Sequence, residues 1–224
     1  MEFYSARKKH FESELLDIKK QYNTISLLRF AVVIAFLASG WFSLQSAENS
    51  ILIVLMFLLA VVFALLMKRH SAVTRKRIRA AALVAINTEE INYLNHNTMP
   101  FEDGHEFIDH KHPYSYDLDI FGQHSLFQNT NRTQTFTGKE KFASLLLKNL
   151  PQSEIAENQK AIIELAGMTE WRQEIMALGR TGNDSGTLYN RLMQWAGKAS
   201  VELPGWVYFI SYAGPVAVFA LLFG

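Results

Sequence analysis

The sequence predicts an all-α fold: a transmembrane helical hairpin with long cytoplasmic helices, a small helical domain, and a further C-terminal transmembrane helix. Three observations predict it. Residues 27–44 (LLRFAVVIAFLASGWFSL) and 51–67 (ILIVLMFLLAVVFALLM) are nearly free of charge, and each reaches roughly the 17–20 residues that cross a bilayer as helix. On the outer flanks of these runs, apolar residues recur at helical spacing. From residue 117 onward, short apolar stripes are separated by proline, glycine and capping residues.

The hairpin comes first in the chain. Residues 1–26 read as a cytoplasmic amphipathic helix in which Phe11, Leu15, Ile18 and Tyr22 recur at spacings of four, three and four, and so share one stripe. Residues 27–67 read as two spans, with a buried core helix as the alternative for each run. Residues 68–96 continue as helix, with Val73, Arg77, Ala80, Val84, Asn87, Ile91 and Leu94 in one seven-residue register although Arg77 and Asn87 are polar. Two such helices can pair with each other over up to about 40 Å, or pack separately on the globular part.

Charge fixes the expected orientation. Arg7, Lys8, Lys9, Lys19, Lys20 and Arg29 lead into the first run, and Lys68, Arg69, Arg75, Lys76, Arg77 and Arg79 follow the second; the segment QSAENS between them carries only Glu48. Basic residues stay inside, so a multi-pass protein of the cytoplasmic (inner) membrane is expected, with the N-terminus and residues 68–202 cytoplasmic. A cleaved signal peptide fits poorly, because Glu12, Glu14 and Asp17 sit in the leading region and a second apolar run follows at once. The 224 residues include no cysteine, as a reducing compartment permits. Hydrophobic residues at 49%, charged residues at 19% and a mean hydropathy of +0.03 place the chain between a soluble domain and a polytopic transporter. The basic run at 68–79 fits anionic lipid headgroups better than nucleic acid, because it adjoins a span.

Residues 97–116 read as a connector loop broken by Pro100, Gly104 and Pro113. His96, Asp103, His105, Asp109, His110 and His112 crowd there, and such side chains can ligate zinc or iron. Their spacing matches no standard metal pattern, so no metal ligand is assigned and a solvated loop is expected. Residues 117–200 then read as a small helical domain. Leu118, Ile120 and Phe121 form a brief extended or turn segment ending at Gly122, and a one- or two-turn helix carries Leu126 and Phe127 inward with Gln128 outward. Helix restarts near Gly138 with Phe142, Leu145 and Leu146 on its apolar face. Ser153 and Thr169 are the expected caps of the next two helices. Ile155, Ile162 and Leu165 share one face, Trp171, Ile175 and Leu178 face the core, and Leu188, Leu192 and Trp195 make a last stripe. Residues 204–224 form the expected third span.

The segment DLDIFGQHSLFQNTNRTQTFTG, residues 117–138, is too patterned for a linker. It resembles the opening of the helical core in the MutS family of DNA-clamp ATPases, where a D-L-D-I-F-G, S-L-F, N-R-T-x-T-x-x-G series stands. Asp117, Leu118, Asp119, Ile120, Phe121 and Gly122 match the first motif, Ser125, Leu126 and Phe127 the second, and Asn131, Arg132, Thr133, Thr135 and Gly138 the third. His112, Pro113 and Tyr114 keep the H-P-Y that ends the family's connector. The likeness covers about 50 residues, and Asn158 and Gln159 stand where the family has an R-Q pair.

The resemblance implies that the chain is the N-terminal membrane anchor and connector of a MutS-like DNA-binding ATPase of the DNA mismatch repair protein family. ATP and Mg, DNA and a homodimeric state are implied for the full-length protein. These motif residues look structural in the family: Arg132 is expected to act as an ion-paired or carbonyl-bonding staple and Gly138 as a close-packing point, with no catalytic or cofactor-binding residue in the chain. No G-x-x-x-x-G-K-[ST] phosphate loop occurs, so the nucleotide site is expected beyond Gly224, and the chain is read as the front of a longer protein. The mismatch-reading F-x-E is also absent. A cytoplasmic Asn131 would not be glycosylated despite its sequon. The alternative function is a membrane-anchored helical interaction or scaffold protein without nucleotide chemistry; a metal-dependent enzyme using the His105–His112 loop is a third.

Overall fold

The computed structural model describes residues 1–45, 50–182, 184–198 and 204–223, the side chains of 216–223 excepted. All regular structure among them is helical. The described chain divides into two compact units, Met1–Asp184 and Ser185–Gly224, so the first closes short of the 117–200 boundary expected from sequence.

The first unit is built on two helices, α1 (Glu2–Gln45) and α2 (Ser50–Leu94). At about 1.5 Å per residue each is roughly 66 Å long, so the apolar run and the amphipathic stretch beyond it are one uninterrupted helix. They pair antiparallel. Phe11 packs with Leu83 and Ile86, and Ile18 and Ile25 pack with Val73 and Ala80. Farther along, the Arg29 guanidinium lies over the Phe63 ring and Gly40 approaches Met56. The stripe predicted at Phe11, Leu15, Ile18 and Tyr22 is therefore the pairing face. Arg77, out of place in an apolar register, turns outward with its guanidinium 4.7 Å from the Tyr22 ring centroid.

Toward the hairpin's far end the apolar side chains leave the interface. Phe30, Ile34, Trp41, Ile53, Phe57 and Leu65 are exposed. Both helices are long and apolar enough to cross a membrane, and only 11% and 0% of their most apolar windows are buried by protein. A core helix would be covered on several sides, so the pattern sets these stretches apart from an ordinary soluble core.

The remainder of the first unit follows α2, with α6 and the segment around Arg132 docked on that helix beyond its apolar run. After α2 comes a single 3₁₀ turn, His105–Phe107, within a segment that is not a solvated loop throughout: Phe101 and Ser115 are buried. Then follow α3 (Leu126–Thr130), α4 (Phe136–Leu146), α5 (Gln152–Gly167) and α6 (Thr169–Thr181). Ser125 caps α3 and Thr135 caps α4, so α4 begins two residues before Gly138. Ser153 and Thr169 are not caps; each lies inside its helix's first turn, after Pro151 and Met168. Pro151, with φ −64° and extended ψ, already starts α5.

One expected face, that of α6, is corrected, and the shared faces of α5 and α7 are uncovered. Ile155 and Ile162 on α5 are exposed, and that helix buries no residue. On α6 the residues facing inward are Gln173 and Ala177, while Trp171, Ile175 and Leu178 are half exposed or more. In the second unit, α7 (Gly186–Ala196) is capped by Ser185 and leaves Leu188, Leu192 and Trp195 exposed. Helix α8 (Gly205–Phe223) follows with Pro215 inside it. The apolar second half on which the third-span expectation rests lies outside the described side chains, and Ser200 outside the described residues.

Candidate functional site

The motif segment forms a joint against α2, and its local folding explains most of its residues. Asp117 and Leu118 are exposed. Asp119 and Gly122 both take positive φ, 47° and 107°, a region open mainly to glycine and to Asn or Asp. That reversal turns Ile120 and Phe121 into the core, and it is held by Phe127 N–H donating to the Ile120 carbonyl at 2.9 Å and Gly122 N–H to the Asp103 carbonyl at 2.8 Å. Ser125 accepts from the Gln128 N–H.

Phe127 is completely buried, at the centre of rings from Phe107, Phe121 and Phe142 with centroids 5.2–5.8 Å away. Leu126 points outward at 51% exposure and Gln128 inward, the reverse of both expectations. The core covers the Phe127–Gln128 side of this five-residue helix, so Leu126, 100° from Phe127 on the other flank, faces out. Gln128 is inside because it bridges two strands of connector: its amide donates to the Phe101 carbonyl at 2.9 Å and accepts from His124 N–H at 2.6 Å.

The third motif is a hydrogen-bonded clamp. Asn131 Oδ1 accepts from the backbone N–H and hydroxyl of Thr133 at 2.9 and 2.7 Å. Arg132 meets both roles expected of a staple. It forks onto Glu90 of α2, Nε to Oε1 at 2.6 Å and Nη2 to Oε2 at 3.2 Å. Nη1 donates to the carbonyls of Asn129 and Asn131, and the guanidinium lies 3.4 Å from the Phe101 ring centroid. Planar, bidentate and stacked, it uses what lysine could not supply. Gly138 donates its N–H to Thr135 Oγ1, and a Cβ there would lie 2.8 Å from that oxygen; its close packing is with the cap of its own helix.

Helix α6 extends the joint along α2. Arg79 pairs with Glu174 and Glu14, and Arg180 pairs with Glu89 while donating to Gln134 at 2.7 Å. The hydrogen bonds that Arg79 donates to Glu174, against the opposing effect of burial, raise the Arg79 pKa. Between these pairs, Asn87 and Gln173 exchange amide hydrogen bonds at 3.0 and 3.3 Å in the buried interior, and Arg7 Nε donates to Gln173 Oε1 at 2.8 Å. Beside the joint lies a cleft of about 500 Å³ between Glu90, Arg132, Arg172 and Trp171.

Several of these partners escaped the sequence reading. Glu89 and Glu90 were not singled out by the sequence pattern, and Gly104 read only as a helix stop. Gly104 has φ 68°, and a Cβ there would sit 2.8 Å from the Phe127 ring; Gly179 likewise gives Gln134 room. Asn87 did leave a signal, as an amide interrupting an apolar register.

Among the connector's histidines, His112 braces the joint. His112 Nδ1 accepts from Ser115 N–H at 3.2 Å, and its Nε2 lies 3.2 Å from the Leu147 carbonyl. Tyr114 donates to the Leu146 carbonyl, so the H-P-Y residues hold the otherwise unpaired C-terminal carbonyls of α4. His105 lies against Asp103 and Glu106, and His110 against Tyr116. Among the described residues no three His, Asp or Glu side chains converge to hold a metal. Lys139 of α4 bridges Glu102 and Glu106 at 2.9 and 2.6 Å. Burial opposes these charges, but the Lys139 bond outweighs it and holds Glu106 below its ordinary value, while Lys139 is raised. Asp103 is likewise lowered, its desolvation outweighed by hydrogen bonds from His105.

Compared with protein-family models, curated proteins and solved structures, the chain matches none. What the arrangement can do is mechanical: it couples a hairpin with a membrane-grade apolar end to a helical body through directional, partly buried polar contacts.

Proposed function

We propose that this chain is the membrane anchor and connector of a MutS-like DNA-clamp ATPase. The observation that carries the proposal is the construction of the joint. The residues of D-L-D-I-F-G, S-L-F and N-R-T-x-T-x-x-G close around Phe127 and grip α2 through Arg132 and Glu90. In the family these motifs stand where ATPase state reaches the DNA-holding arms, and the matching residues of this chain fasten its helical body to the hairpin. The basic flanks support a multi-pass inner-membrane topology with both hairpin ends and residues 68–202 in the cytoplasm. ATP with Mg, DNA contacts and a homodimer interface belong, on this proposal, to parts of the protein outside these 224 residues.

The test is nucleotide binding by the natural full product of the gene in detergent. It should bind Mg·ATP saturably, while the 224-residue chain alone should bind none, because no phosphate-cradling loop is present. Micromolar ATP binding by the 224-residue chain, or none by the full product, overturns the proposal. The exposed Ile162, Ile163 and Trp171 on α5 and α6 favour a second reading, a membrane-anchored scaffold, and absence of nucleotide binding by the full product would select it.

A further inference from the structure

We propose that the cleft between α1 and α2 at the edge of the apolar runs binds one anionic glycerophospholipid. Its phosphodiester would lie between Lys20 and Arg69, with an acyl chain along Ile25, Leu28 and Leu66. The inference rests on the hairpin being membrane-inserted, and it is independent of any nucleotide chemistry.

The cleft, about 400 Å³, is zoned along its length. Lys20, Gln21 and Arg69 form one end; Ile25, Leu28 and Leu66 form the other. The charge-poor stretch begins at residue 27 on α1 and ends at residue 67 on α2, so the membrane boundary passes through the cleft. Lys20 and Leu28 are separated by eight residues, about 12 Å along the helix, against a headgroup zone of roughly 5–7 Å per leaflet. The basic end therefore stands at phosphate depth, and the apolar end reaches the first acyl carbons.

The charges at this end are incompletely matched. Lys20 has an exposed contact with Asp17 at 3.3 Å, and Arg69 has no ion pair among the described residues. One turn beyond Ile25, the Arg29 guanidinium rests over the Phe63 ring, and its Nε is enclosed without a hydrogen-bond partner. Arg29 does not line the cleft, so the anion's partners there are Lys20 and Arg69. Free phosphate would satisfy the basic end alone; the lower half of the cleft, purely aliphatic, selects a ligand with a chain. Diffuse attraction to an acidic membrane would treat Arg75 and Lys76 like Lys20 and Arg69. A site would not.

That difference is the test. The chain in mild detergent is offered phosphatidylglycerol and phosphatidylcholine of matched acyl chains, and native mass spectrometry reads the bound lipid. The wild type should retain phosphatidylglycerol in preference. Lys20→Ala with Arg69→Ala should reduce that retention by about 30-fold, at roughly one surface-charge equivalent per residue, while Arg75→Ala with Lys76→Ala leaves it unchanged. Thr24→Phe, which fills the cleft without altering charge, should also lose the lipid, and circular dichroism checks that each variant remains helical. Equal loss in both double variants, no preference in the wild type, or displacement of the lipid by millimolar inorganic phosphate overturns the proposal. Release of the wild-type chain from membranes by alkaline carbonate would refute the inserted hairpin and the site with it; loss of preference in a carbonate-resistant chain refutes the site alone.

Discussion

Phe127 shows how one residue sets the stability of the joint. With no exposed surface and four rings or backbones against it, Phe127→Ala should cost about 3 to 5 kcal/mol. Gln128→Ala should cost about 1 to 3 kcal/mol, because it leaves the Phe101 carbonyl and His124 N–H unpaired. Leu126→Ala should cost under about 0.5. Urea unfolding in mild detergent orders the three; equal losses at Leu126 and Phe127 would contradict the observed helix phase. Lys139 and Glu106 add a pH dependence whose sign follows from the shifts. Glu106 is lowered, so its contribution is present above the ordinary glutamate value of about 4.3 and lost as pH falls through its folded value. Lys139 is raised, so its contribution is present below about 10.4 and lost as pH rises through its folded value. The destabilisation caused by Glu106→Gln should therefore be full at neutral pH and shrink below about pH 4, measured by the urea midpoint. At this scale the sequence disclosed what local chemistry dictates. The inward Phe127 and the stapling Arg132 were legible from residue type and motif. Gln128 was not, because the carbonyl that makes its burial tolerable is 27 residues away.

Helix α2 is the element on which the parts converge, and its polar contacts fix where each docks. Glu90 receives the motif and Glu89 and Asn87 receive α6, while Arg79 reaches back to Glu14 on α1. Side-chain exposures of 26% and 13% for Arg132 and Glu90 put this pair well inside the screening that weakens surface bridges. A double-mutant cycle of Arg132→Ala and Glu90→Ala should return a coupling of about 1 to 3 kcal/mol, read as shifts in unfolding free energy. Additive losses would mean that the two residues act separately. The α1 pairing stripe was legible from its large apolar residues, whereas on α2 the register named from sequence missed Leu83 and Ile86, which pack against Phe11. Helix α6 was misread for a physical reason: periodicity identifies residues that share a face, but not which face another element covers. Trp171, Ile175 and Leu178 do share one, yet α2 offers the amide of Asn87, which demands Gln173, and its close approach demands Ala177, while Gly179 makes room for Gln134.

At the scale of the whole molecule, the proposed topology makes a direct prediction. The chain has no native cysteine, so single cysteines report side of membrane without background. Ser46→Cys should react with a membrane-impermeant thiol reagent on intact cells, and Ser144→Cys should be protected until the cells are opened. Labelling at position 144 in intact cells would reverse the orientation and remove the cytoplasmic clamp from consideration. The continuity of α2 from Ser50 to Leu94 has a geometric consequence. Glu90 stands 23 residues beyond Met67, roughly 35 Å from the edge of the apolar run, with no hinge residue between. A tilt of about 10° where the hairpin leaves the bilayer sweeps the Arg132 contact sideways by some 6 Å on that arm. On the proposed topology the same rigid arm would return any displacement of the joint to the point where the hairpin leaves the bilayer, magnified or reduced by the same lever length.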